Sequence, residues 1–185
     1  MNIARITHVT SGFGPMKKHV LDVLNSGTSA GHFVVLDIDD TLITDPHGGG
    51  VDVVEEGMWV LRAALARNLD VFIVTARPDT PSNTNYTKRE LEQVGIFVRD
   101  GQLYMRPPRV RTALGISAYK FGCRDDIEQT TGKKCLLTVG DQWSDLSIVN
   151  DDEYIMLRSS ERGAFILTRL HKHGYGLKFN RPNNT

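Results

Sequence analysis

The stretch FVVLDIDDT, residues 33–41, decides how the rest of this chain is read. Phe33 to Leu36 form a short, unbroken apolar run. Such a run suits a strand covered on both faces, as in a parallel sheet, where no position faces water. The run stops at Asp37, and Asp39 follows two residues on. At a strand-to-loop transition both carboxylates can approach one cavity, while Asp40 can point into the scaffold.

The pattern recurs downstream. Val71 to Val74 make a second run ending at Thr75, and Cys135 to Val139 a third ending at Gly140-Asp141. Helical periodicity fills the gaps: Met16, Val20, Leu21 and Leu24 within 15–25, then Val53, Val54, Met58, Leu61 and Leu65 within 52–67. A helix is expected over Ser117 to Thr131, closed by Gly132. Thr87 and Glu90 have capping-box spacing ahead of Leu91 and Val94. Ile96 to Val98 and Leu103 to Met105 read as short strands about a turn at Asp100-Gly101. Leu146 to Val149 is expected in a helix, Tyr154 to Leu157 in a strand and Arg162 to His171 in a last helix. Strands alternating with helices imply right-handed βαβ units: an α/β fold, with a central, mostly parallel sheet flanked by helices on both faces. Residues 1–31 are expected to pack on it as a helical extension, residues 32–178 to form the main domain, and the polar stretch 179–185 to fray.

Composition narrows the function classes. Lys plus Arg total 22 and Asp plus Glu total 22, so no net charge draws the chain to nucleic acid or an anionic surface. Cys123 and Cys135 lack zinc-ligand spacing and read as free thiols. No apolar run approaches the ~20 residues that span a bilayer, and the first twenty residues lack the apolar core of a secretory signal. A cytoplasmic location is expected.

In an open parallel sheet, ligands bind at the carboxyl ends of the strands. Three strands here end in Asp37, Thr75 and Asp141. One polar strand end can be a cap; three, with more carboxylates close by, point to a site. Asp141 and Asp145 lie one helical turn apart in GDQWSD. Gathering Asp37, Asp39, Asp141 and Asp145 without a cation is costly, since two carboxylates ~4 Å apart repel by roughly 4 kcal/mol at an effective dielectric of about 20. All-oxygen ligation favours magnesium. Thr75, with nearby backbone N–H groups around Ala76, offers donors to a phosphate oxygen. Lys120 can bridge Asp37 and phosphate, Arg77 can add a bidentate contact, and Arg124 suits a scaffold role behind the site. Asp37 is then placed to attack phosphorus, and Asp39 to protonate the leaving oxygen and activate water.

The motifs VLDIDDTL, VFIVTAR, YKFGCR and TVGDQWSDL, in that order, resemble the haloacid dehalogenase (HAD) superfamily of phosphatases, and the last two resemble more narrowly the class B acid phosphatase and vegetative storage protein branch. The resemblance runs from about Phe33 to Leu157. It implies a Rossmann-like fold, Asp37 as nucleophile, Asp39 as acid/base, and phosphate held by Thr75 and Lys120. It also implies Mg²⁺ bound by the Asp37 carboxylate, the Asp39 backbone carbonyl and Asp141, with Asp145 in support. Ala76 departs from the glycine found in many relatives. Neither gap between motifs fits a large cap domain, so an open site and a phosphorylated substrate, small or large, are expected. Competing readings are a phosphotransferase on the same scaffold, a phospho-accepting receiver module, and a non-catalytic storage protein. The paired Asp37 and Asp39 at one strand end argue against the last two.

Overall fold

The computed structural model describes residues 6–9, 13–44, 51–146, 148–149, 155–156 and 163–167. Its elements are β1 (Ile6–Val9), α1 (Phe13–Asn25), β2 (His32–Leu36), β3 (Ile43–Thr44), β4 (Asp52–Val53), α2 (Glu55–Leu65), β5 (Asp70–Pro78) and α3 (Pro81–Gln93). They continue with β6 (Leu103–Arg106), α4 (Ala113–Thr131), β7 (Lys134–Gly140), α5 (Trp143–Leu146), β8 (Ile148–Val149), β9 (Ile155–Met156) and β10 (Gly163–Leu167).

Six strands form one sheet in the order β1-β10-β7-β2-β5-β6. Every ladder in it is parallel. The chain leaves β2 toward β5 and β6, then crosses to β7 on the other side. That reversal leaves a crevice beyond the carboxyl end of β2, where open α/β sheets bind ligands.

Both faces of β2 are covered, as its unbroken apolar run implies. Val34 and Leu36 pack with Val20 and Leu24 of α1, Val60 and Leu61 of α2, and Leu91 of α3. Phe33 and Val35 turn the other way, onto Phe72, Val74 and the α4 residues Cys123 and Ile127. Phe33 meets Phe72 edge-on, with ring centroids 5.4 Å apart, a favoured aromatic geometry. Both cysteines are buried, and neither is in a disulfide.

Several boundaries differ from expectation, each for a local reason. The helix α2 starts at Glu55, because Asp52 and Val53 pair antiparallel with Thr44 and Ile43. The helix α4 begins a turn early at Ala113, where the Thr112 hydroxyl accepts the Gly115 N–H at 3.1 Å. Gly132 closes it in the left-handed region, at φ 70°. Thr87 and Glu90 cap nothing: α3 starts at Pro81, and the Thr80 hydroxyl accepts the Asn83 N–H at 3.3 Å. Residues 96–98 form no strand, and Leu103–Arg106 runs parallel to β5, not in a hairpin. Residues 148–149 are strand, not helix, and pair antiparallel with Ile155–Met156.

The largest correction concerns Gly163–Leu167. Expected as helix, it is a central strand between β7 and β1. A run as short as Ala164-Phe165-Ile166-Leu167 has no readable period, and its strand identity comes from its neighbours. The strand β1 was likewise unseen; its partner lies more than 150 residues away. The stretch 179–185, His171, His173 and the Gly-rich stretch around His47 fall outside the described residues. Among the described residues no domain is inserted between β2 and α2 or between β5 and α4, and no helix is long and apolar enough to cross a membrane.

Candidate active site

The site is built where β2, β5 and β7, three neighbours in the sheet, end. Asp37 follows β2 and is tied to the next strand by its N–H, which donates to the Val139 carbonyl at 3.0 Å. The chain then turns tightly: the N–H groups of Thr41, Leu42 and Ile43 all point to the Ile38 carbonyl, at 3.2, 2.8 and 3.1 Å. Asp40 takes the left-handed conformation, φ 54°, which aspartate tolerates better than most residues. Gly57 of α2 lets the helix press on this loop; a Cβ there would fall 1.7 Å from the Thr41 carbonyl oxygen. The Thr41 hydroxyl is buried with no hydrogen-bond partner.

On β7, Gly140 has a similar purpose. A Cβ at that position would lie 2.2 Å from the Asp145 carboxylate, so glycine admits the Asp145 side chain against the strand end. Asp145 is then fixed on all sides. Its Oδ2 accepts the Gln142 N–H at 2.9 Å, its Oδ1 accepts from Lys120, and its backbone carbonyl accepts from the Arg124 guanidinium at 2.7 Å. Arg124 is thus buried behind the site, with its guanidinium on the Asp145 backbone carbonyl. Asp141 is bound at Oδ2 by the Gln142 side-chain amide at 2.6 Å.

Asp37, Asp141 and Asp145 offer oxygens that all lie within 4.8 Å of one another. All three residues are buried. Lys120, from the middle of α4, lies between two of them, with Nζ 3.0 Å from Asp37 Oδ1 and bonded to Asp145. Burial first, then the Asp145 charge, push the Asp37 carboxyl well above the usual carboxylate range. Burial likewise raises Asp141 to about 6. Burial pulls the Lys120 ammonium down, but Asp145 and Asp37 outweigh it and the net shift is upward. Three buried acids facing one lysine form a site with unbalanced negative charge.

A divalent cation fits that imbalance. Asp37 Oδ1 is buried, and beyond its charge contact with Lys120 it makes no hydrogen bond of good geometry. A six-coordinate ion with bonds of ~2.1 Å spans about 3–4 Å between ligand oxygens, so the cluster is close to the size needed.

Thr75 is fully buried within β5, whose pairing with β6 becomes irregular between Thr75 and Pro78. Its hydroxyl accepts the Arg77 N–H at 3.2 Å, leaving the hydroxyl proton to donate elsewhere. The Ala76 carbonyl accepts from Arg106 at 2.6 Å. Asp39 stands apart from the three buried acids in its partners. Its carboxylate is forked by Arg77, with Nε 3.0 Å from Oδ2 and Nη2 2.6 Å from Oδ1. The third Arg77 nitrogen donates to the Thr87 hydroxyl at 3.2 Å and to Glu90. Glu90 and Thr87 were missed as site residues. The cue was available: two polar side chains at i and i+3, in the register of buried Leu91, on a helix that Thr80-Pro81 already starts.

Residues 49–167 match the family model described as HAD superfamily, subfamily IIIB (Acid phosphatase), a span of more than half the chain. It includes Thr75, Lys120, Asp141 and Asp145; Asp37 and Asp39 lie ahead of it. Comparison with curated proteins finds no match.

Proposed function

The chain belongs to the HAD-superfamily acid phosphatases of subfamily IIIB, and from that premise we propose a magnesium-dependent phosphomonoesterase that works through a phospho-aspartate on Asp37. The observation that carries this reading is the convergence of Asp37, Asp141 and Asp145 on one buried point, with Lys120 beside Asp37.

Mg²⁺ would be held by Asp37, Asp141 and Asp145 with the Asp39 backbone carbonyl, where it would neutralise phosphate and carboxylate charge. Thr75, through its hydroxyl proton, the Ala76 backbone and Lys120 bind the phosphoryl oxygens. Asp37 Oδ attacks phosphorus as the ester P–O bond breaks, giving an acyl phosphate. Asp39 gives its proton to the departing oxygen, then takes one from the water that hydrolyses the acyl phosphate. Arg77, whose side-chain N–H groups face Asp39, Thr87 and Glu90, supports Asp39 rather than the phosphate. Among the described residues no inserted domain covers the crevice, which suits large as well as small esters.

The test is turnover of a panel of nucleotides, sugar phosphates, phosphopeptides and nucleic-acid ends. We expect activity lost in EDTA, restored by magnesium, and a phosphoryl adduct on the peptide carrying Asp37 after acid quench. No turnover of any ester with magnesium present would overturn the proposal. Added alcohol, recovered as a new phosphoester, would favour the phosphotransferase form.

A further inference from the structure

We propose that Glu90 and Thr87 of α3 are positioning residues for Asp39, acting through Arg77. The assignment rests on the reading of Asp39 as the acid/base group.

Glu90 is 4% exposed and Thr87 fully buried, both in the interior of a helix whose end groups are satisfied elsewhere. A buried carboxylate is costly unless paired. Glu90 is paired with Arg77 Nη1, which also reaches Thr87 Oγ1 at 3.2 Å. That leaves Nε and Nη2, the side-on fork of the guanidinium, for the two oxygens of Asp39. A planar guanidinium anchored at one nitrogen has its remaining donors set in direction. The orientation of the Asp39 carboxylate is thus set from α3, although Asp39 sits on the β2 loop. The same arginine donates its backbone N–H to Thr75 Oγ1 at 3.2 Å. One residue therefore relates the hydroxyl proposed for phosphate to the carboxylate proposed for the leaving oxygen. A surface ion pair would not do this: the Arg77 side chain is 12% exposed and that of Glu90 5%, while Asp39, the end facing the crevice, is 43% exposed.

The experiment compares an alkyl phosphate with p-nitrophenyl phosphate. A poor leaving group needs a placed acid; nitrophenolate hardly does. A positioned acid or base contributes about 10²–10⁴-fold. For Arg77→Ala we expect kcat to fall ~100-fold on the alkyl ester and ~10-fold or less on the nitrophenyl ester, with KM little changed. Added guanidinium should recover part of the alkyl rate. Glu90→Gln should show the same leaving-group bias at about tenfold, and carries the test if Arg77→Ala does not fold. A raised KM with kcat unchanged would make Arg77 a phosphate ligand and overturn the proposal. So would equal loss on both esters, or a lower melting temperature with kcat intact. If the wild-type protein turns over no ester, the parent reading fails by itself. The urea double-mutant cycle of Asp39→Asn with Glu90→Gln still decides coupling: additivity overturns it, non-additivity upholds it.

Discussion

Lys120 Nζ lies 3.0 Å from Asp37 Oδ1 and bonds Asp145 from the same position, deep between β2 and β7. The Lys120 side chain is 3% exposed, and among the described residues its ammonium is bonded to two carboxylates of the cluster. Removing one partner of such a group costs about 3–5 kcal/mol, because the remaining charges stay buried. We expect Lys120→Met to abolish phosphoester turnover and to lower urea stability on that scale. Lys120→Arg should not restore activity, since its fork is longer and flatter than the space for one ammonium. Urea unfolding with and without magnesium checks the origin: the loss should shrink when the cation is present.

The acids also set a pH dependence for the metal-free protein. Asp141 is raised to about 6 from 3.8. Between those values the folded protein keeps a proton that the unfolded chain has released. Stability therefore falls as pH rises through the window, by about 3 kcal/mol if the full shift is expressed. Asp37, also raised, acts in the same direction. Thermal melting in EDTA should give a higher midpoint near pH 4.5 than near pH 7. Magnesium, held as proposed, would bind the deprotonated acids, so it should raise the midpoint more at pH 7 and flatten the profile. A metal-free midpoint that climbs from pH 4.5 to 7 would contradict the charge arrangement.

Gly57 tests how the loop is held. A methyl there would stand 1.7 Å from the Thr41 carbonyl oxygen, a backbone atom that cannot swing aside. Either α2 or the loop from Asp37 to Thr41 must move. Overpacking of this kind costs about 1–3 kcal/mol. For Gly57→Ala we expect that loss and at least a tenfold fall in kcat, since displacement by ~1 Å can cost about 10²-fold in rate. Gly122→Ala, on α4 with open space at its Cβ, is the control: it should leave kcat unchanged and raise stability by about 0.5–1 kcal/mol, as alanine does inside a helix.

Much of this site was legible because it lies where covered strands meet reactive residues. Leu36-Asp37, Val74-Thr75 and Gly140-Asp141 each join an apolar run to a polar residue, and run and residue are adjacent in sequence. What escaped was set by contacts distant along the chain. Gly163–Leu167 becomes a strand through pairing with β7 and β1. Glu90 faces Arg77 across thirteen residues, and the capping-box spacing offered a local explanation that Thr80-Pro81 supersedes. Arg77 was expected to fork a phosphate; in the structure its fork closes on Asp39, which depends on how the β2 and β5 loops approach and which neither stretch specifies alone.

Asp37 carries the last prediction, because its two properties pull apart. In the proposed role of nucleophile it must be ionised, yet burial and the Asp145 charge both oppose ionisation. An asparagine side chain matches its shape without the charge. Asp37→Asn should therefore abolish turnover and remove the phosphoryl adduct. It should also raise the melting midpoint of the metal-free protein at pH 7, because one repulsive buried charge is gone while Lys120 keeps its bond to Asp145. Magnesium should then stabilise the variant less than wild type, with one anionic ligand lost. Equilibrium dialysis for the metal and differential scanning calorimetry in EDTA measure the two effects separately. A variant less stable than wild type without metal would mean that the Lys120–Asp37 attraction exceeds the cost of burying Asp37, and the charge imbalance drawn from this cluster would be wrong.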